Sequence, residues 1–258
     1  MNSLLFHFLE SEKLSLHLLC YFCSMENKKI VVTGASRGIG KAIASYFAKK
    51  GYDVAICARD NERLQTLANE LRKSGSKVIA EVCDVADKVA VKSFVKNVLS
   101  QWVNIDILVN NAGIYLPGRV VDEEDGALEK LIETNLYSAY HFSRAFAPTF
   151  QAQKSGYIFN IASVAGLAAY PNGGSYSISK FAMIGLSKAL REELKVANVR
   201  VTTISPGPVF TDAWAGAGIG EERFIPVADL GKIVYDLSQL SANTVVEDLV
   251  VRPILGDI

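Results

Sequence analysis

A glycine-rich turn between an apolar run and an amphipathic segment constrains the fold of this chain more than any other feature. Residues 30–32 are β-branched and suit a strand buried on both faces, whereas residues 39–47 repeat apolar side chains at helical spacing. Between them, Gly34 permits a sharp turn, Gly38 lets a ligand approach the backbone, and Gly40 lets the helix pack closely. The free N–H groups at the start of this helix suit a pyrophosphate, although a tight turn without a ligand is the alternative.

Apolar segments of strand length alternate with amphipathic helical segments along the rest of the chain. Strands are predicted at residues 30–32, 53–58, 77–83, 105–109, 157–161, 199–204 and 245–251. Helices are predicted after the glycine turn, after Asp60, and at residues 87–102, 126–147, 175–196 and 228–240, with Pro148 ending the fourth. This alternation predicts an α/β fold, a Rossmann doubly wound parallel sheet of about seven strands with helices on both faces. Ligands bind such sheets at the carboxyl ends of the strands.

The first 24 residues differ in character from the rest of the chain. Their apolar core, residues 14–23, lacks the basic start and the cleavage pattern of a signal peptide and is too short to span a bilayer. Met25 stands directly before the segment that leads into the first strand. We therefore expect residues 1–24 to be a disordered leader or a start-site artefact, and residues 25–258 to form one nucleotide-binding domain. The intact mass of protein made from its native transcript tests this expectation.

Charge and cysteine content exclude several classes of function. Lys and Arg total 27 against 27 for Asp and Glu, and no basic stripe is interleaved with aromatic residues, so nucleic acid is not an expected partner. The four cysteines, at positions 20, 23, 57 and 83, do not form two pairs at metal-ligand spacing, so no metal site is expected. This usage is typical of a reduced compartment, and we expect a cytoplasmic protein that is not bound to a membrane.

The end of the second predicted strand indicates which nucleotide the turn would bind. Sites that recognise a ribose 2′-hydroxyl carry an acidic residue there, but this chain has Ala58 followed by Arg59. No carboxylate repels a 2′-phosphate, and Arg59 together with Arg37 from the turn can bind it through charge-assisted hydrogen bonds. We therefore expect NADP(H) to be preferred over NAD(H). The alternative is that both arginines are ordinary surface residues.

Three polar residues in the second half suggest acid–base chemistry. Tyr176 and Lys180 lie four residues apart in a predicted helix, so both side chains project from one face. An adjacent ammonium favours the phenolate, and bringing a phenol pKa from about 10 to about 7 requires about 4 kcal/mol. Ser163 follows the predicted strand at 157–161 and so lies at the sheet edge of the glycine turn, where it can hold a carbonyl oxygen. Taken singly, the pair also fits a surface tyrosine with a solvated lysine, and Ser163 fits a helix cap.

These residues belong to an ordered set of motifs. The set comprises Thr33-Gly34-x-x-x-Gly38-x-Gly40, Asp84-Val85, Asn110-Asn111-Ala112-Gly113, Asn135, Ser163, Tyr176-x-x-x-Lys180 and Pro206-Gly207 with Thr211. In this order the motifs, which span residues 28–211, resemble those of the short-chain dehydrogenase/reductase family. The glycine spacing favours its short NAD(P)-dependent reductase subclass over the longer sugar-nucleotide epimerases, which have G-x-x-G-x-x-G.

The resemblance implies an oxidoreductase that interconverts a carbonyl and a secondary alcohol by hydride transfer. Tyr176 would be the general acid in reduction and the general base in oxidation. Lys180 would lower the pKa of Tyr176 and bind the nicotinamide ribose. Ser163 would orient the substrate oxygen, and Asn135 would hold a water that links Lys180 to solvent. The structural alternative for Asn135 is a mid-helix residue bonded to its own turn.

The resemblance also implies a set of cofactor contacts. Asp84 and Val85 would contact adenine, and Asn110 would line the side of the adenosine ribose. Val209 with Thr211 would hold the carboxamide. The full set of implied cofactor-binding residues is Gly34, Ser36, Arg37, Gly38, Ile39, Gly40, Arg59, Asp84, Val85, Asn110, Ala112, Gly113, Tyr176, Lys180, Pro206, Gly207, Val209 and Thr211. The structural alternatives are that Asp84 caps its loop and that Asn110 is a turn residue.

The expected substrate is a small or medium-sized carbonyl compound or alcohol with an apolar body. Residues 115–119, residues 164–172 and a mobile flap at 212–225 would contact it. The chain resembles 3-oxoacyl-acyl-carrier-protein reductases but lacks the Asp-Gly-Gly run common near their carboxyl end, which argues against an acyl-carrier substrate. The resemblance further implies a homodimer or homotetramer formed through the predicted helices at 126–147 and 175–196.

Two other classes of function were weighed against this interpretation. A serine hydrolase needs a histidine base, and only His141 lies within the predicted fold, without a nucleophile elbow, so we interpret it as a packing or surface residue. A non-catalytic NADP-binding scaffold or redox sensor would keep the fold without turnover. The intact set of Asn135, Ser163, Tyr176 and Lys180 argues against that role, and NADPH oxidation with a panel of ketones distinguishes the two.

Overall fold

The computed structural model of the protein describes residues 27–211, Trp214 and residues 218–258. Two sequence predictions fall outside these residues: the leader at 1–24, and positions 212, 213 and 215–217 of the flap. In the described part, strands and helices alternate and build one sheet with helices on both faces.

The observed elements follow the predicted order. The strands are β1 Lys29–Thr33, β2 Asp53–Ala58, β3 Val78–Val82, β4 Ile107–Asn110, β5 Gly156–Ile161, β6 Val199–Pro206 and β7 Asp248–Val251. The helices are α1 Gly38–Lys49, α2 Asn61–Lys73, α3 Lys88–Gln101, α4 Ala127–Leu131, α5 Ser138–Gln153, α6 Gly174–Leu194 and α7 Val227–Ser238. A π-helical turn, Ile132–Tyr137, joins α4 to α5.

The seven strands form one sheet in the order β3-β2-β1-β4-β5-β6-β7, and every neighbouring pair is parallel. The predicted α/β class, the parallel sheet and the strand number are therefore confirmed. The chain reverses its direction of winding between β1 and β4, which pair through Ile30 with Ile107 and through Val32 with Val109. Such a reversal opens a crevice beyond the carboxyl ends of the strands, where open α/β sheets bind their ligands.

The central strands are apolar on both faces because helices cover both. On one face, Ile30 and Val32 of β1 pack in a layer with residues of α1, α2 and α7. On the other face, Val31 packs with residues of α3, α5 and α6, including Phe142 and Phe146. No helix in the described part of the chain is long and apolar enough to cross a membrane.

Several predicted boundaries differ from the observed ones, and two of these differences have a clear physical cause. The helix expected to end before Pro148 continues to Gln153, with the proline inside α5. Phe146 and Phe150 on either side of Pro148 are fully buried, and this packing holds the last turn although the proline cannot donate a backbone hydrogen bond. Strand β4 starts at Ile107 rather than at Ile105, because the backbone N–H and C=O of Ile105 bond to the side chain of Gln153.

Candidate active site

The glycine turn between β1 and α1 is packed too closely for side chains. Gly34 and Gly38 have positive φ angles of +64° and +55°. A Cβ atom on Gly34 would lie 2.7 Å from Cα of Ala112, and one on Gly40 would lie 2.5 Å from the Asn111 amide nitrogen. The glycines are therefore required by the approach of the loop that follows β4, in addition to the turn itself.

Asn111 fastens that loop to the turn. Its side-chain nitrogen donates to the carbonyl oxygens of Thr33 at 2.9 Å and Gly34 at 3.1 Å. The hydroxyl of Thr33 accepts from the backbone N–H groups of Asn111 and Ala112, both at 3.0 Å. Asn111 belongs to the motif set, but its role could not be predicted from the sequence, because its partners lie at the end of another strand and only the folded sheet brings them together.

The start of α1 fits an anion. Its N-cap residue, Arg37, makes no side-chain capping bond, and the first turn carries no acidic residue, so the backbone N–H groups are available to a phosphate. A Cβ atom on Gly38 would lie 3.3 Å from a methyl carbon of Thr211, which places the residues after β6 directly against the turn. Arg37 and Arg59 are both exposed, and neither forms an ion pair with any other described residue.

Of the residues predicted to contact the adenosine part of the cofactor, one lies at the surface and two are buried. Asp84 is exposed, and its carboxylate accepts from the Ala86 N–H at 3.1 Å, as a loop cap does. The side chain of Val85 is buried in the core. The Asn110 side chain is also buried and donates to Ser143 at 3.0 Å and Asn160 at 2.8 Å. Val85 and Asn110 can therefore offer a ligand only their backbone atoms.

Residues after β6 and β7 meet at the same end of the sheet. Pro206 ends β6, and the N–H of Gly207 donates to the carbonyl oxygen of Val251 at 2.8 Å. Val209 is buried and forms an isolated parallel bridge with Ile225. The base of the predicted flap is thereby tied to the sheet edge beside the glycine turn.

Lys180 of α6 is almost completely buried, with 5% of its surface exposed. Its ammonium donates to the carbonyl oxygen of Ile161 at 3.0 Å and lies 5.8 Å from the ring centroid of Tyr176. Burial penalises the charged form and lowers the pKa of Lys180 to about 8. Lysine and tyrosine thus share one face of α6, as their spacing predicts.

Ser163 caps a short turn at the carboxyl end of β5. Its hydroxyl oxygen accepts from the Ala165 N–H at 3.1 Å, which caps a short 3₁₀ turn after β5. The interaction of this hydroxyl with the Tyr176 phenol acts to lower the pKa of Tyr176. Burial is the larger effect and raises the pKa of Tyr176, with a further contribution from Tyr115. The expected lowering of the Tyr176 pKa by Lys180 stays a prediction.

Asn135 is fully buried in the π-helical turn between α4 and α5. Its amide oxygen accepts from the Ile114 N–H at 2.8 Å, and its amide nitrogen donates to the Ile114 carbonyl and the Ser179 hydroxyl, both at 3.0 Å. A Cβ atom on Gly113 would lie 3.1 Å from the amide oxygen and 3.7 Å from the Lys180 ammonium nitrogen. Gly113 thus keeps open the space between Asn135 and Lys180.

Glu123 is a residue of the site that the sequence analysis missed. Its carboxylate accepts from the hydroxyl and, at 3.4 Å, from the backbone N–H of Ser175, the residue before Tyr176. Helix α6 has no side-chain cap from its own N-cap residue, Gly173, so this carboxylate acts in its place. Glu123 and Ser175 are 52 positions apart, and no local pattern connects them.

In the described part of the chain, the ring contacts of His141 are with tyrosines and not with a nucleophile. Its ring packs against Tyr137 and Tyr140, with centroids 6.2 and 5.5 Å away. Burial and the neighbouring cations lower its pKa. Among the described residues, no group of three or more His, Cys, Asp or Glu side chains could hold a metal ion.

Comparison with known proteins places this geometry in a family. The sequence profile of the short chain dehydrogenases matches residues 28–221. The chain belongs to this family. An uncharacterized oxidoreductase of Staphylococcus saprophyticus is 32% identical to this short-chain dehydrogenase over 231 residues, which is 89% of this chain and 99% of the relative.

Solved structures agree with the sequence comparison. The alcohol dehydrogenase of the archaeon Thermococcus sibiricus, complexed with 5-hydroxy-NADP, is 30% identical with a TM-score of 0.83 over 90% of this chain and 99% of that chain. A serine dehydrogenase complexed with NADP⁺ is 30% identical, with a TM-score of 0.82 over 89% and 96% of the two chains. Actinorhodin polyketide ketoreductase with NADPH is 28% identical, with a TM-score of 0.81 over 90% and 98%. The short-chain dehydrogenase described here is therefore an NAD(P)-dependent oxidoreductase with a Rossmann fold.

Proposed function

We propose that this enzyme interconverts a carbonyl compound and a secondary alcohol with NADP(H), using Tyr176 as the general acid and base. The observation that carries the proposal is the grouping of Tyr176 with Ser163, Lys180 and Asn135 at the sheet edge of the glycine turn. Phenol, hydroxyl and ammonium groups in one partly buried site can exchange a proton with a substrate oxygen and hold it in place.

NADPH held at the glycine turn would supply the hydride for reduction of the carbonyl carbon and would leave as NADP⁺. The phenol of Tyr176 gives its proton to the carbonyl oxygen, so that the carbonyl gains two electrons and two hydrogens and becomes an alcohol. The Ser163 hydroxyl, which lies close enough to the phenol to influence its pKa, donates to the same oxygen and fixes its position. Lys180 and Asn135, separated by the space beside Gly113, lie on the route by which Tyr176 recovers a proton from solvent.

The charges at the end of β2 favour NADP(H) over NAD(H). Ala58 brings no carboxylate there, and the exposed guanidinium groups of Arg37 and Arg59 have no ion-pair partner among the described residues. They are free to bind a 2′-phosphate. Three of the similar structures contain NADP⁺, NADPH or an NADP derivative, which supports the same choice.

The assay for the proposed reaction is the loss of NADPH absorbance with a panel of ketones, aldehydes and 3-oxoacyl thioesters. Turnover by the wild type that falls at least about a hundredfold in Tyr176→Phe is the expected result. Tight NADPH binding without turnover of any carbonyl would instead indicate the non-catalytic scaffold.

The cofactor preference has its own test. Arg59→Asp should lower the ratio of kcat/KM for NADPH to that for NADH about tenfold to a hundredfold, because a charge-assisted bond is replaced by repulsion. Lys73→Asp changes an exposed charge at the far end of α2 and serves as the matched control. An unchanged ratio in Arg59→Asp would contradict the preference.

We also propose a cytoplasmic homodimer or homotetramer. The cysteines Cys57 and Cys83 are buried and unpaired as disulfides, which fits a reducing compartment. Exposed apolar side chains on α4, the π-turn, α5 and α6 provide the surface for self-association: Leu128, Tyr137, Tyr140, Ile178 and Phe181.

A further inference from the structure

Two tyrosines outside the proposed catalytic set lie beside Tyr176. The ring of Tyr115 stands edge-on to the ring of Tyr176, with centroids 5.0 Å apart and an interplanar angle of 85°. Burial, followed by the nearby phenols of Tyr115 and Tyr176, raises the pKa of Tyr170, which places its hydroxyl in the same group. The three phenols form one cluster, and only Tyr176 among them is on α6.

The loops that carry these tyrosines are joined to each other. Tyr115 belongs to the loop after β4, and Tyr170 belongs to the segment before α6. Gly118 forms a parallel bridge with Gly173, and its N–H donates to the Asn172 carbonyl at 3.0 Å. A Cβ atom on Gly174 would lie 2.5 Å from the Gly118 carbonyl oxygen, so the two loops meet without room for a side chain. The tyrosine pair is therefore held in place before a substrate arrives.

The pair is open to a ligand although it is held in place. Tyr115 is 50% exposed and Tyr170 is 41% exposed, whereas Ser163 and Lys180 behind them are buried. Both side chains can therefore offer ring surface to a ligand. Aromatic rings bind other aromatic rings more tightly than aliphatic groups of equal area, through edge-to-face and offset contacts.

We propose that Tyr115 and Tyr170 form an aromatic wall of the substrate pocket that selects carbonyl compounds bearing an aryl group on the carbonyl carbon. The inference rests on the proposed function, because the reacting oxygen is then fixed by Tyr176 and Ser163. With the oxygen at Tyr176, the neighbouring ring of Tyr115 lies within reach of a substituent on the same carbonyl carbon. Tyr170, which is 41% exposed, extends the surface.

The test compares acetophenone with cyclohexyl methyl ketone, which is similar in size but has no aromatic ring. The measured quantity is the ratio of their kcat/KM values with saturating NADPH, in the wild type and in variants. Dividing the wild-type ratio by a variant's ratio removes the intrinsic difference in reactivity between the ketones. Tyr115→Leu should lower the ratio about threefold to tenfold, while Tyr115→Phe, which keeps the ring, should retain most of it.

Two further measurements keep the test decisive. Tyr46→Leu removes a ring that packs against Tyr235, outside the proposed wall, and is the matched control that should leave the ratio unchanged. Saturation-transfer NMR of both ketones with the NADP⁺-loaded enzyme reports binding without turnover, and acetophenone should give the stronger signal in the wild type but not in Tyr115→Leu.

The outcomes separate the two proposals. Turnover of ketones with the same ratio in wild type and Tyr115→Leu would overturn the aromatic wall and leave the proposed function intact. Binding of acetophenone that depends on Tyr115, but without turnover of any carbonyl, would overturn the proposed function and support the wall. Acetophenone that neither binds nor reacts would overturn the wall.

Discussion

Lys180 shows at the scale of one residue how a reactive site opposes stability. The side chain keeps its ammonium next to Tyr176 and Ile161 but is almost entirely withdrawn from water. Its pKa falls from about 10.4 to about 8, which corresponds to a penalty of about 3 kcal/mol for the charged form. A packed apolar residue would carry no such penalty, which agrees with the role in the reaction that we propose for the lysine.

This penalty predicts a pH dependence of stability. Below about pH 8, Lys180 is protonated in both the folded and the unfolded state, so the full penalty lowers the free energy of unfolding. Between about pH 8 and pH 10.4, Lys180 is protonated only in the unfolded state. The free energy of unfolding should therefore rise with pH in that window, by up to about 1.4 kcal/mol per pH unit from this residue. Urea denaturation of Lys180→Met should lose this rise, and Lys188→Met, an exposed lysine on the same helix, should keep it. Equal slopes in all three proteins would contradict the prediction.

If Tyr176 is the general acid and base, the rates of reduction and oxidation should depend on pH in opposite ways. Burial raises its pKa, so the phenol stays protonated at neutral pH, which suits reduction, while oxidation needs the phenolate and should accelerate as pH rises. Because hydrogen bonding by Ser163 lowers that pKa, Ser163→Ala should move the acid limb of the oxidation profile to higher pH in addition to lowering kcat. The exposed Ser100→Ala is the control. An acid limb unmoved in Ser163→Ala would argue that Tyr176 is not the titrating group.

At the scale of elements, the site depends on two irregular helix features. The π-turn Ile132–Tyr137 carries Asn135, and such turns occur often at functional sites because they change the direction of one side chain within a helix. Helix α6 starts with Gly173 and Gly174 and has no acidic residue in its own first turn. Glu123 brings both the missing acceptor and a negative charge to this positive helix end.

Glu123 should therefore position Tyr176 through Ser175. We expect Glu123→Ala to lower kcat roughly tenfold, because a small displacement of the acid is costly, with little change in the dissociation constant for NADPH. Glu123→Gln keeps an oxygen acceptor for Ser175 and should restore most of the loss. The neighbouring, exposed Glu124→Ala should behave as wild type. A fall in NADPH affinity equal to the fall in kcat would point to general loosening of the fold instead.

At the scale of the whole molecule, the parallel sheet brings distant segments to one edge. The glycine turn follows β1, Gly113 follows β4, Ser163 follows β5 and Thr211 follows β6, and all carboxyl ends of parallel strands point the same way. The helices that cover the sheet leave apolar residues on their outer surface, including Ile178 and Phe181, which are 41% and 46% exposed. A surface of this kind on α6 is suited to contact with a second copy.

Substitution of this surface tests the proposed assembly. Phe181→Asp should convert the wild-type dimer or tetramer to a smaller species in light scattering, because a carboxylate cannot be buried there without a partner. Leu240→Asp, which changes an exposed apolar residue after α7, should keep the wild-type mass. A monomeric wild type would contradict the proposal directly.

Much of the fold follows from short-range pattern. The β-branched run at 30–32, the glycine spacing and the helical spacing of Tyr176 and Lys180 all involve residues close in sequence, whose geometry depends on backbone sterics and periodicity. Family resemblance extended this to the ordered set of motifs. Together these signals predicted the sheet, the turn and the catalytic candidates.

Features that depend on long-range packing could not be predicted from the sequence. The helix passes through Pro148 because Phe150 is buried against the sheet. The contacts of Glu123 with Ser175 and of Tyr115 with Tyr176 join segments that lie far apart along the chain. Local propensity carries no information about such partners, since they become neighbours only when the strands align. Local pattern thus predicts the order of the elements and the reactive groups that they carry. Which of these groups share a site, and how their pKa values shift there, follows from the packing of segments that are distant along the chain.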